Sequence, residues 1–113
     1  MIPGEIYIAH FPFGAGGGSK LRPVLLVTEP IGTVPEILVA YISSVVPAHL
    51  LPSDIILDAN KPEHTTTNLK TISVVRLHKL ATLHQRSAVR RLDHVSSVTE
   101  SEVASKLRSL LRL

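Results

Sequence analysis

Arg22 is the residue best suited to chemistry on a phosphate group. It lies in Ser19-Lys20-Leu21-Arg22-Pro23-Val24-Leu25-Leu26-Val27, where a basic, polar stretch runs into continuous apolar sequence. Such a run reads as a strand buried on both faces. Pro23 has no N–H for a sheet ladder, so it belongs at the strand's first residue or at an edge. It also holds Arg22 in extended geometry. The guanidinium is thereby kept at the mouth of a buried strand, where burial is costly without an anionic partner. Just upstream, Gly14-Ala15-Gly16-Gly17-Gly18 is too permissive to hold one shape unaided. A glycine loop beside a fixed arginine suits a negatively charged ligand. The same residues also fit a hairpin loop with an exposed arginine in a surface ion pair.

The chemistry that fits these residues is phosphodiester cleavage. RNA attacked by its own 2′-hydroxyl needs neither a protein nucleophile nor a metal. It needs a group to stabilise the charged pentacoordinate phosphate, a hydrogen bond to orient it, and proton transfer at each end. Arg22 suits the first task through its bidentate fork. Ser43, a hydroxyl at the end of a neighbouring strand, suits the second, although such a hydroxyl also commonly caps a turn. His10, at the end of the first strand, is a candidate proton carrier if the two strands adjoin.

Other chemistries find little support. The chain has no cysteine, which excludes disulfides, thiol catalysis and cysteine-ligated zinc and suits a cytoplasmic home. His78 and His84 are six residues apart, not the i, i+4 spacing that presents two ligands on one helical face. Each of the six histidines therefore reads as a surface or locally hydrogen-bonded residue. The glycine loop precedes a strand rather than a helix, so it is no phosphate-binding helix N-terminus. Ser43 lacks the surroundings of a nucleophile elbow.

The elements that must position these residues are mostly strands. Residues 5–11 place Ile6, Ile8 and His10 on one side and Tyr7, Ala9 and Phe11 on the other. Further strands are expected at 23–28, 36–44, 54–58 and 71–77, the last continuing through 80–83 after a bend. Residues 59–70 form a long polar excursion in which Asn68 fits a left-handed position. Residues 86–95 fit a short helix or a strand into a turn. Thr99-Glu100-Ser101-Glu102 reads as a capping box, with Val98 and Val103 as its hydrophobic staple. Val103, Leu107, Leu110 and Leu111 then recur at helical spacing. Strands followed by one amphipathic helix imply a small antiparallel half-open barrel or sheet capped by a helix. Its exposed edges and the apolar chain end (Leu110, Leu111, Leu113) would be covered by dimerisation.

A chain of 113 residues with 44% hydrophobic and 19% charged content corresponds to one folded domain. No apolar run approaches 18 residues and no basic leader precedes one, so neither membrane insertion nor secretion is expected. Charge is unevenly spread. Residues 1–60 carry two basic against five acidic side chains, a net of −3, and residues 61–113 carry ten against four, a net of +6. A positive half can attract a polyanion or simply solvate helix and strand faces.

Pro3-Gly4-Glu5-Ile6-Tyr7-Ile8-Ala9-His10-Phe11-Pro12-Phe13, the glycine loop, and Lys20 to Val27 together resemble the N-terminal signature of the MazF/PemK toxins. Val39-Ala40-Tyr41-Ile42-Ser43-Ser44 is similar to that family's central strand, and Thr71 to Leu83 to its late strand pair. The resemblance implies a single domain over 1–113, mainly β with a C-terminal α-helix, in a small SH3-like antiparallel barrel of the CcdB/MazF type. It implies the homodimeric toxin half of a type II toxin–antitoxin pair, with a cognate antitoxin as partner. It also implies cofactor-free, metal-independent cleavage of single-stranded RNA to a 2′,3′-cyclic phosphate and a 5′-hydroxyl. By the same resemblance Arg22 is the catalytic arginine, and Ser43 falls where the family often carries a catalytic threonine. Gly14 to Lys20 would be a mobile loop flanking the RNA groove, with Phe13, Gly17, Ser19, Lys20, Ser44 and Arg76 on the RNA-binding side. Three departures stand out. Serine replaces threonine at 43, losing the methyl that fixes the rotamer. His10 and His78 stand where many relatives have an acidic residue. Asn68 replaces a frequent glycine. Two rivals remain: a CcdB-like toxin that binds gyrase without enzymatic action, and an attenuated relative that binds RNA without cutting it.

Overall fold

The computed structural model describes residues 1–12 and 18–113, with Ser19 described through its backbone alone. Six strands, β1 (Glu5–Pro12), β2 (Ser19–Leu26), β3 (Glu36–Ser43), β4 (Asp54–Leu57), β5 (Ser73–His84) and β6 (Ala88–His94), precede one helix, α1 (Ser97–Leu111). They form a single sheet in the order β4-β5-β3-β2-β1-β6, with every neighbouring pair antiparallel. The sheet stays open, with β4 and β6 at its edges.

Alternation along the strands feeds two separate cores. Ile6, Leu25, Ile42, Val75 and Leu77 pack together with Val103 of α1. Ala9, Phe11, Val24, Leu26, Val39 and Leu83 form the second. Val24 to Leu26 therefore contributes to both, as an uninterrupted apolar run should. β5 serves both cores because it bends. Tyr41 of β3 pairs with Arg76, yet the preceding Ala40 pairs with Leu80, so Leu77, His78 and Lys79 bulge between two stretches of regular ladder. This is the bend anticipated between residues 77 and 80.

Three expectations are corrected. β2 begins at Ser19, not at 23, so Pro23 is inside the strand. Residues 86–95 resolve into a 3-10 turn (Gln85–Ser87) followed by β6. The helix starts earlier than the capping-box pattern indicated. Ser96 is the N-cap, its Oγ accepting from the Thr99 amide at 3.2 Å and donating to Thr99 Oγ1 at 3.1 Å. Two serines precede Thr99, and the earlier one sits directly after buried Val95, whose amide is tied to the Gly4 carbonyl. The chain is thus already anchored at Val95 when the helix begins. Val98 is 74% exposed and staples nothing, while Glu102 pairs with Lys106.

The apolar stripe of α1 is half used. Val103 and Leu107 pack on the first core, and Leu110, Leu111 and Leu113 remain exposed. Arg112 closes the helix in the left-handed region, φ 58, its amide bonded to the Arg108 and Ser109 carbonyls. The polar excursion contains a 3-10 helix (Pro62–Thr67) that ends on Asn68, which does adopt the left-handed conformation, φ 55. Among the described residues no helix is long and apolar enough to cross a membrane.

Candidate active site

The site follows from a missing N–H. β1 and β2 pair along their whole overlap, including Ile8 with Pro23 and Ala9 with Arg22. β2 and β3 pair only from Val24–Tyr41 to Leu26–Val39. Pro23 cannot donate towards β3, and there the ladder stops. Pro23 thus occupies the edge position expected of it, within the strand rather than at its start. Arg22 is half-buried, and its Nη1 donates to the Leu21 carbonyl at 2.8 Å.

Directly paired residues in a sheet project to the same face. Val24, Tyr41, Arg76 and Asp54 are paired in succession across β2, β3, β5 and β4, making one row. Two residues further along each strand the next row on that face begins, and the same register, continued past the end of the ladder, sets Arg22 opposite Ser43. The Ser43 hydroxyl accepts from the Val45 amide at 3.0 Å and donates, at 3.3 Å, to the Val45 carbonyl. It therefore also closes the turn after β3.

The adjoining row is tied together by side-chain contacts. Arg76 Nε lies 2.9 Å from Asp54 Oδ1, a contact by charge without an aligned hydrogen bond. The other Asp54 oxygen accepts from the Leu51 amide at 2.8 Å, and the Asp54 carbonyl accepts from Lys106 of α1 at 2.8 Å. The Tyr41 ring packs 5.1 Å from Phe11, with Lys79 Nζ 5.7 Å from its centroid. His78 belongs to the same neighbourhood. Although the residue is largely exposed, partial desolvation and then the Arg76 charge lower its pKa, against the opposing pull of Asp54, which favours the neutral ring.

The remaining candidates are dispersed. His10 is exposed and pairs with Leu21. β1 and β2 do adjoin, but strand alternation sets His10 on the face opposite Ala9 and Arg22, away from Ser43. Lys20 is exposed on β2, opposite Phe11. Ser44 is exposed and, with Arg22, lines a cleft opened by the parting of β2 and β3. Phe13, Gly17, most of the glycine loop and the Ser19 side chain lie outside the described residues. His84 and His94 are locally bonded, to the Arg86 amide and the Val95 carbonyl. His64 is instead buried, correcting the surface reading, and its Nδ1 has no hydrogen-bond partner among the described residues. Those residues contain no cluster of three or more His, Asp or Glu fit to hold a metal ion. Sequence reasoning missed the Asp54–Arg76 pair, whose members are 22 positions apart on strands whose neighbour relation no spacing reveals.

Comparison with known proteins bears on the family and the fold. A family model described as the PemK-like, MazF-like toxin of type II toxin–antitoxin systems matches residues 2–111. The chain belongs to that family. No curated protein matched it in sequence. Among solved structures it is similar to the Mycobacterium tuberculosis toxin MazF-mt6, with TM-score 0.74 and 22% identity over 96% of this chain and 97% of that one. It is also similar to an endoribonuclease in complex with its cognate antitoxin from a mycobacterial species, with TM-score 0.72 and 16% identity over 100% and 96%. A third is MazF from Deinococcus radiodurans, with TM-score 0.68 and 19% identity over 99% and 96%. At these identities the likeness concerns the fold, and the open, helix-capped β-sheet of this PemK/MazF-family chain is that fold.

Proposed function

We propose that this PemK/MazF toxin is a sequence-selective endoribonuclease that cuts single-stranded RNA without a metal or cofactor. The reading rests on Arg22 and Ser43 sharing one sheet face by strand register, beside the point where Pro23 ends the β2–β3 ladder. The RNA's own 2′-hydroxyl gives up its proton to water and attacks the adjacent phosphorus, the P–O5′ bond breaks, and the leaving 5′-oxygen takes a proton from water, so that the products are a 2′,3′-cyclic phosphate and a 5′-hydroxyl. Arg22 stabilises the charge that builds on the non-bridging oxygens. Ser43 orients the phosphate by exchanging its long 3.3 Å bond to the Val45 carbonyl for one to a phosphate oxygen, while keeping the bond it accepts. Arg76 and Lys79 hold flanking phosphates on the same face, and Ser44 and Lys20 bind RNA at the margins of the site. His10 faces away from Ser43, so we assign it no proton transfer.

The chain acts as one domain over 1–113 and as a homodimer, which covers the exposed Leu110, Leu111 and Leu113. A cognate antitoxin neutralises it, as the antitoxin-bound mycobacterial endoribonuclease of the same fold suggests by analogy. The turn-closing bonds of Ser43 favour one rival, a relative that binds RNA without cutting it.

The test is incubation of purified protein with a long single-stranded RNA in EDTA, with mapping of product ends. Discrete cuts with 5′-hydroxyl ends are expected, and Arg22→Ala should slow cutting by at least about a hundredfold with no change in fold. Cutting retained by that variant refutes the mechanism. Binding without cutting selects the attenuated relative.

A further inference from the structure

Beyond Val24–Tyr41, β2 and β3 part, and the gap is a cleft of about 330 Å³, within the range of small-ligand sites. Its floor and wall are Ile8, Pro23, Ile42 and Leu92. Ile8 and Pro23 are a directly paired couple, and Ile42 belongs to the first core, so the floor lies on the sheet face opposite the Arg22–Ser43 row. Three cations line it, Arg22 from β2, Lys70 from the loop before β5, and Arg90 from β6. Three hydroxyl residues, Ser44, Thr71 and Ser73, complete the lining, and no carboxylate side chain is among the lining residues.

We infer that this cleft holds one nucleotide of the RNA strand, next to the phosphate gripped by Arg22, and reads its base. This rests on the RNA-cleaving reading above. An apolar floor ringed by cations matches a nucleotide's two halves, since a base presents a π-face to apolar side chains and its phosphates seek Lys and Arg. A bare anion would have no use for the floor, and an apolar ligand none for the cations. Arg22 connects the two regions, since it lines the cleft and shares the Ser43 face.

Asn68 is the specificity-determining residue. It lines the cleft, carries a donor and an acceptor on one planar end, and its Nδ2 donates to the Leu92 carbonyl at 3.4 Å. Its left-handed φ of 55 is one that glycine adopts freely. Asn68→Gly therefore removes the amide without straining the loop.

Two measurements test the inference. Amide NMR of the purified protein is followed during titration with each of the four nucleoside 5′-monophosphates, and separately with inorganic phosphate. The expected result is saturable shifts at Leu69–Thr71, Arg90 and Leu92, with one base at least threefold tighter than the weakest. All nucleotides should bind more tightly than phosphate, and Lys70→Ala/Arg90→Ala should weaken binding at least tenfold. Shifts absent from these residues, or phosphate binding as tightly as nucleotides, overturn the inference. The second measurement is sequencing of cut sites in an RNA pool with wild-type protein and Asn68→Gly, expected to change base preference at one position beside the cut. An unchanged preference overturns the role of Asn68. A protein that cuts no RNA sinks the nuclease reading, while the titration still decides the cleft.

Discussion

The two halves of β2 behave as different structures. From Val24 to Leu26 the strand has β1 on one side and β3 on the other, and its side chains are buried in alternate cores. From Ser19 to Pro23 it has β1 alone, and the described side chains there are exposed or half-buried. One imino acid separates a strand segment that holds the fold together from one that presents Arg22. The difference teaches how a charged group can be placed beside a core without being buried in it. The ladder on one side positions the backbone, and the lost ladder on the other leaves room for a ligand.

That contrast is most sharply broken by truncation on either side of Pro23. Leu25→Ala should destabilise the protein by about 3–4 kcal/mol, since Leu25 is fully buried and leaves a cavity. Arg22→Ala should change stability by less than about 0.5 kcal/mol. Chemical denaturation of the two variants checks the pair, and a large loss for Arg22→Ala would mean that both halves are structural. Next comes Asp54→Ala, expected to cost about 3 kcal/mol because it strands Arg76 and frees the Leu51 amide, again read by denaturation.

Glu5 gives a smaller, pH-dependent effect. Burial alone would raise its pKa, but hydrogen bonds from the Arg91 side chain and the Ile2 amide outweigh this and lower it from the ordinary 4.5. A lowered carboxyl stabilises the fold above pH 4.5 and loses that contribution as pH falls through its lower folded value. Glu5→Gln should cost about 1–3 kcal/mol at pH 7, and the gap in Tm between variant and wild type should close in acid. A gap of constant size would show that the charge is irrelevant. The smallest effect is at His78, whose NMR titration midpoint should fall below 6.5 and rise when Arg76→Gln removes the repelling charge. A midpoint at or above 6.5 would show that the Arg76 charge does not act on the ring.

Much of this architecture was legible from residue patterns alone. The doubly buried Val24–Leu26, the alternation in β1, the bend after Leu77 and the left-handed Asn68 all follow from local chemistry, because side-chain period and backbone preference act over a few residues. The helix was foreseen but its start was not. Ser96, Ser97 and Thr99 are all competent caps, and the anchoring of Val95 to Gly4, 91 positions away, selects among them.

The site divides in the same way. Arg22 and Ser43 were identifiable because an arginine before a strand proline and a strand-end hydroxyl are local features. Whether they share a face was not, since that depends on the register of β2 against β3, and a shift of one residue would turn Ser43 to the other side. The same register separates His10 from Ser43, although its position at the end of a neighbouring strand made it a fair candidate. The amino-acid sequence by itself thus determined most of the strand segments and that Pro23 must sit at a strand's first residue or at an edge, because side-chain period and proline chemistry are local. Only the tertiary structure decided that Arg22 and Ser43 share a sheet face, that Asp54 holds Arg76, and that a cationic cleft opens behind them, because strand order and register are set by long-range pairing.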